Sequence, residues 1–238
     1  MPIDLSVVIP VLNEEAKVAA DVRAVAEFLG RMGLSGEALV VDDGSTDGTA
    51  DAARSAAGEI GANVSVLSLG RHRGKGCAVR AGMLRSRGRC AMFMDSGRCV
   101  PLANALRGMD LIRRGVCEVA HGSRYLAESR RLGERGPYRR VVGAAFRMAA
   151  PMLAGVPAHL TDTQCGFKVY RGDVARELYS ECGTDGFLFD VEVILRAVAH
   201  AYRIAEFPVE WRADPDSRLH PLRALPALAR DFLRLPRN

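Results

Sequence analysis

Over the first 121 positions, short runs of consecutive apolar residues alternate with longer stretches in which apolar residues recur every three or four positions. Residues 5–10 (Leu-Ser-Val-Val-Ile-Pro) read as a buried strand, and residues 14–32 have helical spacing. The same reading predicts strands over 38–42, 64–69, 90–95 and 116–121, with helices over 48–60, 76–87 and 102–114 between them. Strands alternating with helices imply an α/β fold: three layers, with a mostly parallel central sheet covered on both faces.

The second half is less regular. Residues 124–137 are polar, charged and glycine-containing and read as a mobile loop, followed by a helix over 139–153 and an irregular stretch over 161–170. Helices are predicted after Asp173 and over 189–201, and an extended segment over 204–211. Residues 222–235 form an amphipathic helical pattern, with Pro226 near its start or at a kink. The expected organisation is one domain over 1–215 and a basic amphipathic C-terminal extension over 216–238.

The 238 residues are 48% hydrophobic and 26% charged, which excludes a disordered chain and a disulfide-stapled miniprotein. The six cysteines form no Cys-x-x-Cys pair and no leader pattern opens the chain, so a reduced, cytoplasmic setting is expected. No stretch is long and apolar enough to span a membrane. The formal net charge is +5, and only Lys17, Lys75 and Lys168 are lysine. Residues 124–147 hold seven arginines against Glu128 and Glu134, and residues 218–238 hold five against Asp231. Such patches suit a phosphorylated ligand or an anionic membrane surface. Nucleic acid is disfavoured, because aromatics are few and acidic strand ends repel a phosphate backbone.

In a parallel sheet, ligands bind beyond the carboxyl ends of the strands, and the polar signals fall there. The first strand runs into Pro10, Asn13, Glu14 and Glu15, the second into Asp42-Asp43-Gly44-Ser45-Thr46, and the fourth into Asp95-Ser96-Gly97. These acids suit a cation, hydroxyl-rich groups, or both. Taken singly, Ser45 and Thr46 are also ordinary helix caps. Lys75, between Gly74 and Gly76 at a helix start, suits either a phosphate-facing turn or a solvated one.

Together, V-I-P-x-x-N-E-E, V-D-D-G-S-T-D-G-T and G-K-G-x-A-V-R-x-G, in this order, resemble the family-2 inverting glycosyltransferases of the GT-A fold. Gly122-Ser123-Arg124, the string Asp162-Thr163-Gln164-Cys165-Gly166-Phe167-Lys168, Phe189-Asp190-Val191-Glu192-Val193 and Val209-Glu210-Trp211 narrow the likeness to dolichyl-phosphate β-glucosyltransferases. Polyprenyl-phosphate mannosyltransferases come next. The likeness runs from Val7 to about Leu235. It implies that Pro10, Asn13 and Glu14 line a nucleotide pocket, that Asp42 and Asp43 contact base or ribose, and that Lys75 and Arg80 lie near the phosphates. It further implies that Asp95 opens a motif for Mg2+ or Mn2+ and diphosphate, and that Arg124, Arg135, Arg139, Lys168 and Arg218 hold an acceptor phosphate. Of these, Asp95, Arg124 and Lys168 are the catalytic candidates.

The activity implied is transfer of a hexose, glucose from UDP-glucose, to a polyprenyl or dolichyl phosphate at the cytoplasmic face of a membrane. An acceptor phosphate is already anionic and needs no base, whereas the departing diphosphate needs positive charge. Arginine forks suit that acceptor. The pattern breaks where the family has Asp-Ala-Asp, because Gly97 supplies no ligating side chain. Three readings follow: a metal held by Asp95, diphosphate and water; Arg98 standing in for the cation; or binding without efficient turnover. A soluble acceptor in a specialised pathway and a catalytically weak sugar-nucleotide sensor are the competing functions. A soluble hydroxyl acceptor would need a general base, for which Asp162 is the candidate.

Overall fold

The strand β1 (Leu5–Val11) shows no apolar–polar alternation because both of its faces are covered. Leu5, Val7, Ile9 and Val11 enter one core cluster and Val8 the other. It opens a computed structural model that describes residues 2–61, 63–133, 155–213, 231–232 and 235–236. There follow α1 (Glu15–Met32), β2 (Gly36–Asp42), α2 (Thr49–Ile60), β3 (Val64–Ser68), α3 (Lys75–Met83), β4 (Cys90–Met94), a 3-10 turn at Leu102–Asn104 and α4 (Ala105–Arg113). Next come β5 (Val119–Ser123), β6 (Arg130–Leu132), β7 (Phe167–Arg171), α5 (Gly172–Glu181), α6 (Phe189–Ala199), β8 (Ile204–Pro208) and β9 (Glu210–Arg212).

Seven strands form one sheet in the order β3-β2-β1-β4-β7-β5-β8, and β6 pairs with β9 in a small parallel ribbon. All neighbours in the large sheet are parallel except β7, which runs antiparallel to β4 and β5. One face carries α1, α2 and α4 over the β1 and β4 side chains Leu5, Val7, Ile9, Cys90, Met92 and Met94. The other carries α3, α5 and α6 over Val8, Ala91 and Phe93. The three-layer α/β expectation therefore holds.

Residues 167–171 are a central strand, not part of an irregular stretch. The sequence hides this strand behind Lys168, a charge that only a buried partner makes tolerable in a sheet interior. Residues 130–132, inside the expected loop, form β6. The helix expected over 139–153, most of the 222–235 pattern and the boundary between 215 and 216 lie outside the described residues. Phe232 and buried Leu235 pack with Val156, Leu160, Leu188, Val191 and Ile194. At these two positions the C-terminal segment docks on its own chain.

Candidate active site

The reversed direction of β7 builds the site. Its first residue, Phe167, sits opposite Met94, the last residue of β4, so the Asp162–Gly166 segment enters at the edge where β1, β2, β4 and β5 end. The N-terminus of α6 reaches the same edge.

The loops after β1 and β2 are knitted together. Thr46 N–H donates to Asn13 Oδ1 at 2.8 Å and Asn13 N–H to Ser45 Oγ at 2.9 Å, while Asn13 holds a left-handed backbone at φ 55°. Glu14 N–H donates to Thr49 Oγ1, and the Glu14 carboxylate pairs with Lys17 at 3.4 Å. Pro10 is the half-buried penultimate residue of β1. Asp42 accepts from Ser45 N–H and Ser68 Oγ, both at 3.0 Å. Asp43 accepts from the backbone N–H groups of Arg73 and Gly74 at 2.8 and 2.9 Å and meets His72 Nδ1 at 2.8 Å. Both aspartates are almost fully buried, and these bonds shape the loop that delivers Lys75.

Gly74 and Gly76 are needed for close approach to another loop. A Cβ at Gly76 would lie 2.5 Å from the Thr184 carbonyl oxygen, and one at Gly74 would strike the Asp185 carbonyl. Cys77 N–H donates to that Asp185 carbonyl at 3.2 Å, so the start of α3 is partly capped by protein. Arg80 reaches the same loop and pairs with Asp185 at 2.5 Å. The role of Asp185 had no signal in the sequence, because its partner lies 105 residues away.

Four charges run inward from the edge. Asp95 Oδ1 lies 2.6 Å from Lys75 Nζ, with the two side chains 40% and 25% exposed. Behind them Lys168 Nζ donates to Asp190 Oδ1 at 2.5 Å and to the Cys165 carbonyl at 2.8 Å, wholly buried and 5.3 Å from the Phe93 ring centre. Burial works to strip the Lys75 proton, but Asp95 and then Asp190 outweigh it and hold its pKa above the usual lysine value. Burial raises the Asp190 pKa, opposed by Lys168 and Lys75. Lys168 thus stands behind the site surface, with its ammonium engaged by Asp190 and the Cys165 carbonyl. Gly166 lies against Asp95: a side chain there would run into the Asp95 carboxylate.

Arg124 is also buried. Its Nε and Nη2 fork onto Asp162 at 2.6 and 2.7 Å, leaving the edge that carries Nη1 outside the fork. Its guanidinium lies 5.8 and 5.7 Å from the Tyr125 and Trp211 ring centres. Burial alone would raise the Asp162 pKa; the Arg124 fork outweighs it and holds the carboxyl below the usual aspartate range. Glu206 accepts from the N–H groups of Thr161 and Asp162 and fixes this loop from β8. Arg135, Arg139 and Arg218 lie outside the described residues.

The Asp95–Arg98 turn is tied to α1 by Asp21, which sequence reading missed. Ser96 Oγ donates to Asp21 at 2.6 Å, Gly97 N–H at 3.0 Å, and Arg98 Nε lies 3.5 Å away. Asp21 falls on the stripe of Val18, Val22 and Val25, so an acid on the apolar face of α1 was the available signal.

The motif that resembles a metal site offers too few side chains to hold a divalent ion without the help of a bound diphosphate. Its one carboxylate, Asp95, is already paired with an ammonium, and the second position is glycine. Among the described residues, no group of three His, Cys, Asp or Glu side chains could hold a metal.

Residues 6–178 match the sequence profile of glycosyl transferase family 2. The chain belongs to that family. This glycosyltransferase is 30% identical to a dolichyl-phosphate beta-glucosyltransferase of Dictyostelium discoideum, over 98% of this chain and 75% of the relative. It is 28% identical to the Homo sapiens protein of the same name, over 96% and 74%. In fold it resembles glucosyl-3-phosphoglycerate synthase of Mycobacterium tuberculosis, solved with Mn2+, UDP and glucosyl-3-phosphoglycerate. That likeness has a TM-score of 0.70 and 20% identity, and covers 97% of this chain and 77% of the other. Mannosyl-3-phosphoglycerate synthase of Rubrobacter xylanophilus gives 0.68 at 20% identity, over 98% and 72%. The fold is thus of the GT-A type.

Proposed function

We propose that this glycosyltransferase is a hexosyltransferase moving glucose from UDP-glucose to a polyprenyl phosphate, with inversion at the anomeric carbon. The observation that carries the reading is the engagement of the site's acids: Asp95 with Lys75, Asp162 with Arg124 and Asp190 with Lys168. Asp162, the expected base for a hydroxyl acceptor, is buried, forked by a guanidinium and held ionised at low pH. An acceptor that is already anionic needs no such base. Its phosphate oxygen forms the new bond to the anomeric carbon from one side. The bond from that carbon to the diphosphate breaks on the other, releasing UDP with no proton to relocate.

In this reading Pro10, Asn13, Glu14, Asp42, Asp43, Lys75, Arg80 and Asp95 frame the donor. Arg124, through its Nη1 edge, together with Arg135, Arg139 and Arg218 receives the acceptor phosphate, and Lys168 positions the groups behind Lys75. The names of the curated relatives support the lipid acceptor, and the basic segments support contact with an anionic membrane surface from the cytoplasmic side. Among the described residues no helix is long and apolar enough to cross a membrane. The docking of Phe232 and Leu235 onto the chain favours, as a second reading, a soluble phosphorylated acceptor, because these residues then have no need of lipid.

The test is transfer of radiolabelled sugar from UDP-glucose to a short polyprenyl phosphate, with 3-phosphoglycerate as the soluble competitor and GDP-mannose as the alternative donor. A β-linked glucosyl lipid phosphate, identified by its anomeric proton coupling, is the expected product. Product from 3-phosphoglycerate alone would overturn the lipid acceptor.

A further inference from the structure

Resting on the nucleotide-sugar reading above, we infer that the Lys75 ammonium supplies the positive charge facing the donor's diphosphate, in place of a protein-held divalent metal. Charge balance at the edge is the first ground. Two carboxylates at the end of a fourth strand would leave a double negative charge that a divalent ion neutralises. Here Gly97 removes one, and the other, Asp95, is neutralised by Lys75 at 2.6 Å. These two side chains together therefore leave no excess negative charge to hold a divalent ion before the diphosphate arrives.

The second ground is how Lys75 is held. Its backbone is fixed by the close approach of Gly74 and Gly76 to the 184–186 loop, and its ammonium lies 5.9 Å from both the Phe93 and the Phe189 ring centres. The buried Asp190–Lys168 pair closes off the inner side. A quarter of the Lys75 side chain remains open, and the Asp95 side chain beside it is 40% exposed. An ammonium has three donors, so one bond to Asp95 leaves capacity for phosphate oxygens at the same nitrogen. Bound diphosphate then shares a cation that the fold has already placed, and little reorganisation is needed.

Arg98, the other cation beside the motif, is paired with α1. Its backbone is left-handed at φ 53°, following Gly97 at φ 88°, and its Nε lies 3.5 Å from the buried Asp21 carboxylate on α1. The Gly97 N–H is bound to the same carboxylate. Both interactions tie this turn to α1.

The experiment is calorimetric titration of the full chain with UDP and with GDP, in EDTA, in MgCl2 and in MnCl2, alongside the electron paramagnetic resonance signal of free Mn2+. Wild-type affinity for UDP is expected to agree within about twofold across the three conditions, with little Mn2+ withdrawn by the protein. Lys75→Ala should weaken UDP binding about tenfold or more in every condition, as expected for losing a charge-assisted bond to phosphate. Lys75→Arg should recover part of that loss. Gly97→Asp provides a check independent of Lys75: it should create Mn2+ withdrawal and a metal-dependent gain in UDP affinity.

A loss of about tenfold or more in wild-type UDP affinity on adding EDTA would overturn the inference. So would wild-type affinity in a folded Lys75→Ala. Metal-independent UDP binding without transfer to polyprenyl phosphate would overturn only the acceptor proposed above. Failure of both nucleotides to bind in all conditions would overturn the inference and the donor reading together.

Discussion

Lys168 illustrates how single residues set the site from beneath. A fully buried ammonium is costly, and it persists here because Asp190 and the Cys165 carbonyl both accept from it. Lys168→Met should therefore destabilise the chain by about 3–5 kcal/mol, since it leaves the Asp190 charge uncompensated. The double variant Lys168→Met with Asp190→Leu should recover most of that loss in chemical denaturation, at the expense of UDP affinity. A double variant no more stable than Lys168→Met alone would argue against charge pairing as the cause.

His121 lies beside Lys168 on β5, buried, and its Nε2 has no hydrogen-bond partner among the described residues. Burial, and then the Lys168 charge, hold its pKa well below 6.5. The unfolded chain then binds more protons than the folded one below about pH 6.5. Stability is full above that value and falls as pH drops from it towards the depressed folded value, with a slope of up to about 1.4 kcal/mol per pH unit. Denaturation midpoints measured from pH 8 to 5 should show this slope in the wild type and lose it in His121→Gln.

At the scale of elements, the critical contact is the α3 N-terminus against the 182–188 loop. It is held by the Gly74 and Gly76 approach, the Cys77 N–H to the Asp185 carbonyl, and Arg80, which pairs with Asp185 and donates to the Thr184 carbonyl at 3.5 Å. Glu192 on α6 steadies the loop from behind, accepting from the N–H groups of Gly183 and Thr184 at 3.0 and 2.7 Å. Gly76→Ala would place a methyl 2.5 Å from the Thr184 carbonyl and 2.7 Å from Phe189 Cβ. It should cost about 1–3 kcal/mol through overpacking and shift Lys75 as the loops part. The expected pattern is a lowered Tm together with weakened UDP binding. A lowered Tm with unchanged binding would separate this contact from the donor site.

For the whole molecule, the net charge of +5 is concentrated in residues 124–147 and 218–238. If these segments serve a lipid acceptor, the chain should sediment with vesicles rich in phosphatidylglycerol and not with neutral ones. Binding should weaken several-fold as salt rises from about 0.05 to 0.5 M. Failure to bind at low salt would favour the soluble acceptor.

The layered architecture was legible in the sequence because it depends on local periodicity: two-faced burial of β1, β2 and β4 and the apolar stripe of α1 are written in consecutive residues. The polar strand ends were legible for the same reason, since a parallel sheet brings Asn13, Asp42, Asp43 and Asp95 to one edge whatever else the chain does. Family membership was legible in the ordered motifs. What each charge does was decided by contacts that sequence distance conceals. Lys168 fell in a stretch read as irregular, and only the sheet shows it on a central strand, where a buried cation must be paired. Asp162 was the candidate base for a soluble hydroxyl acceptor, and only the fold shows Arg124, 38 residues earlier, forking onto it. Arg98, one of three readings of the broken motif, is paired with Asp21, a contact that appears only when α1 packs beside the turn. Burial and pairing set the cost and availability of a charge, and both arise only when distant segments pack.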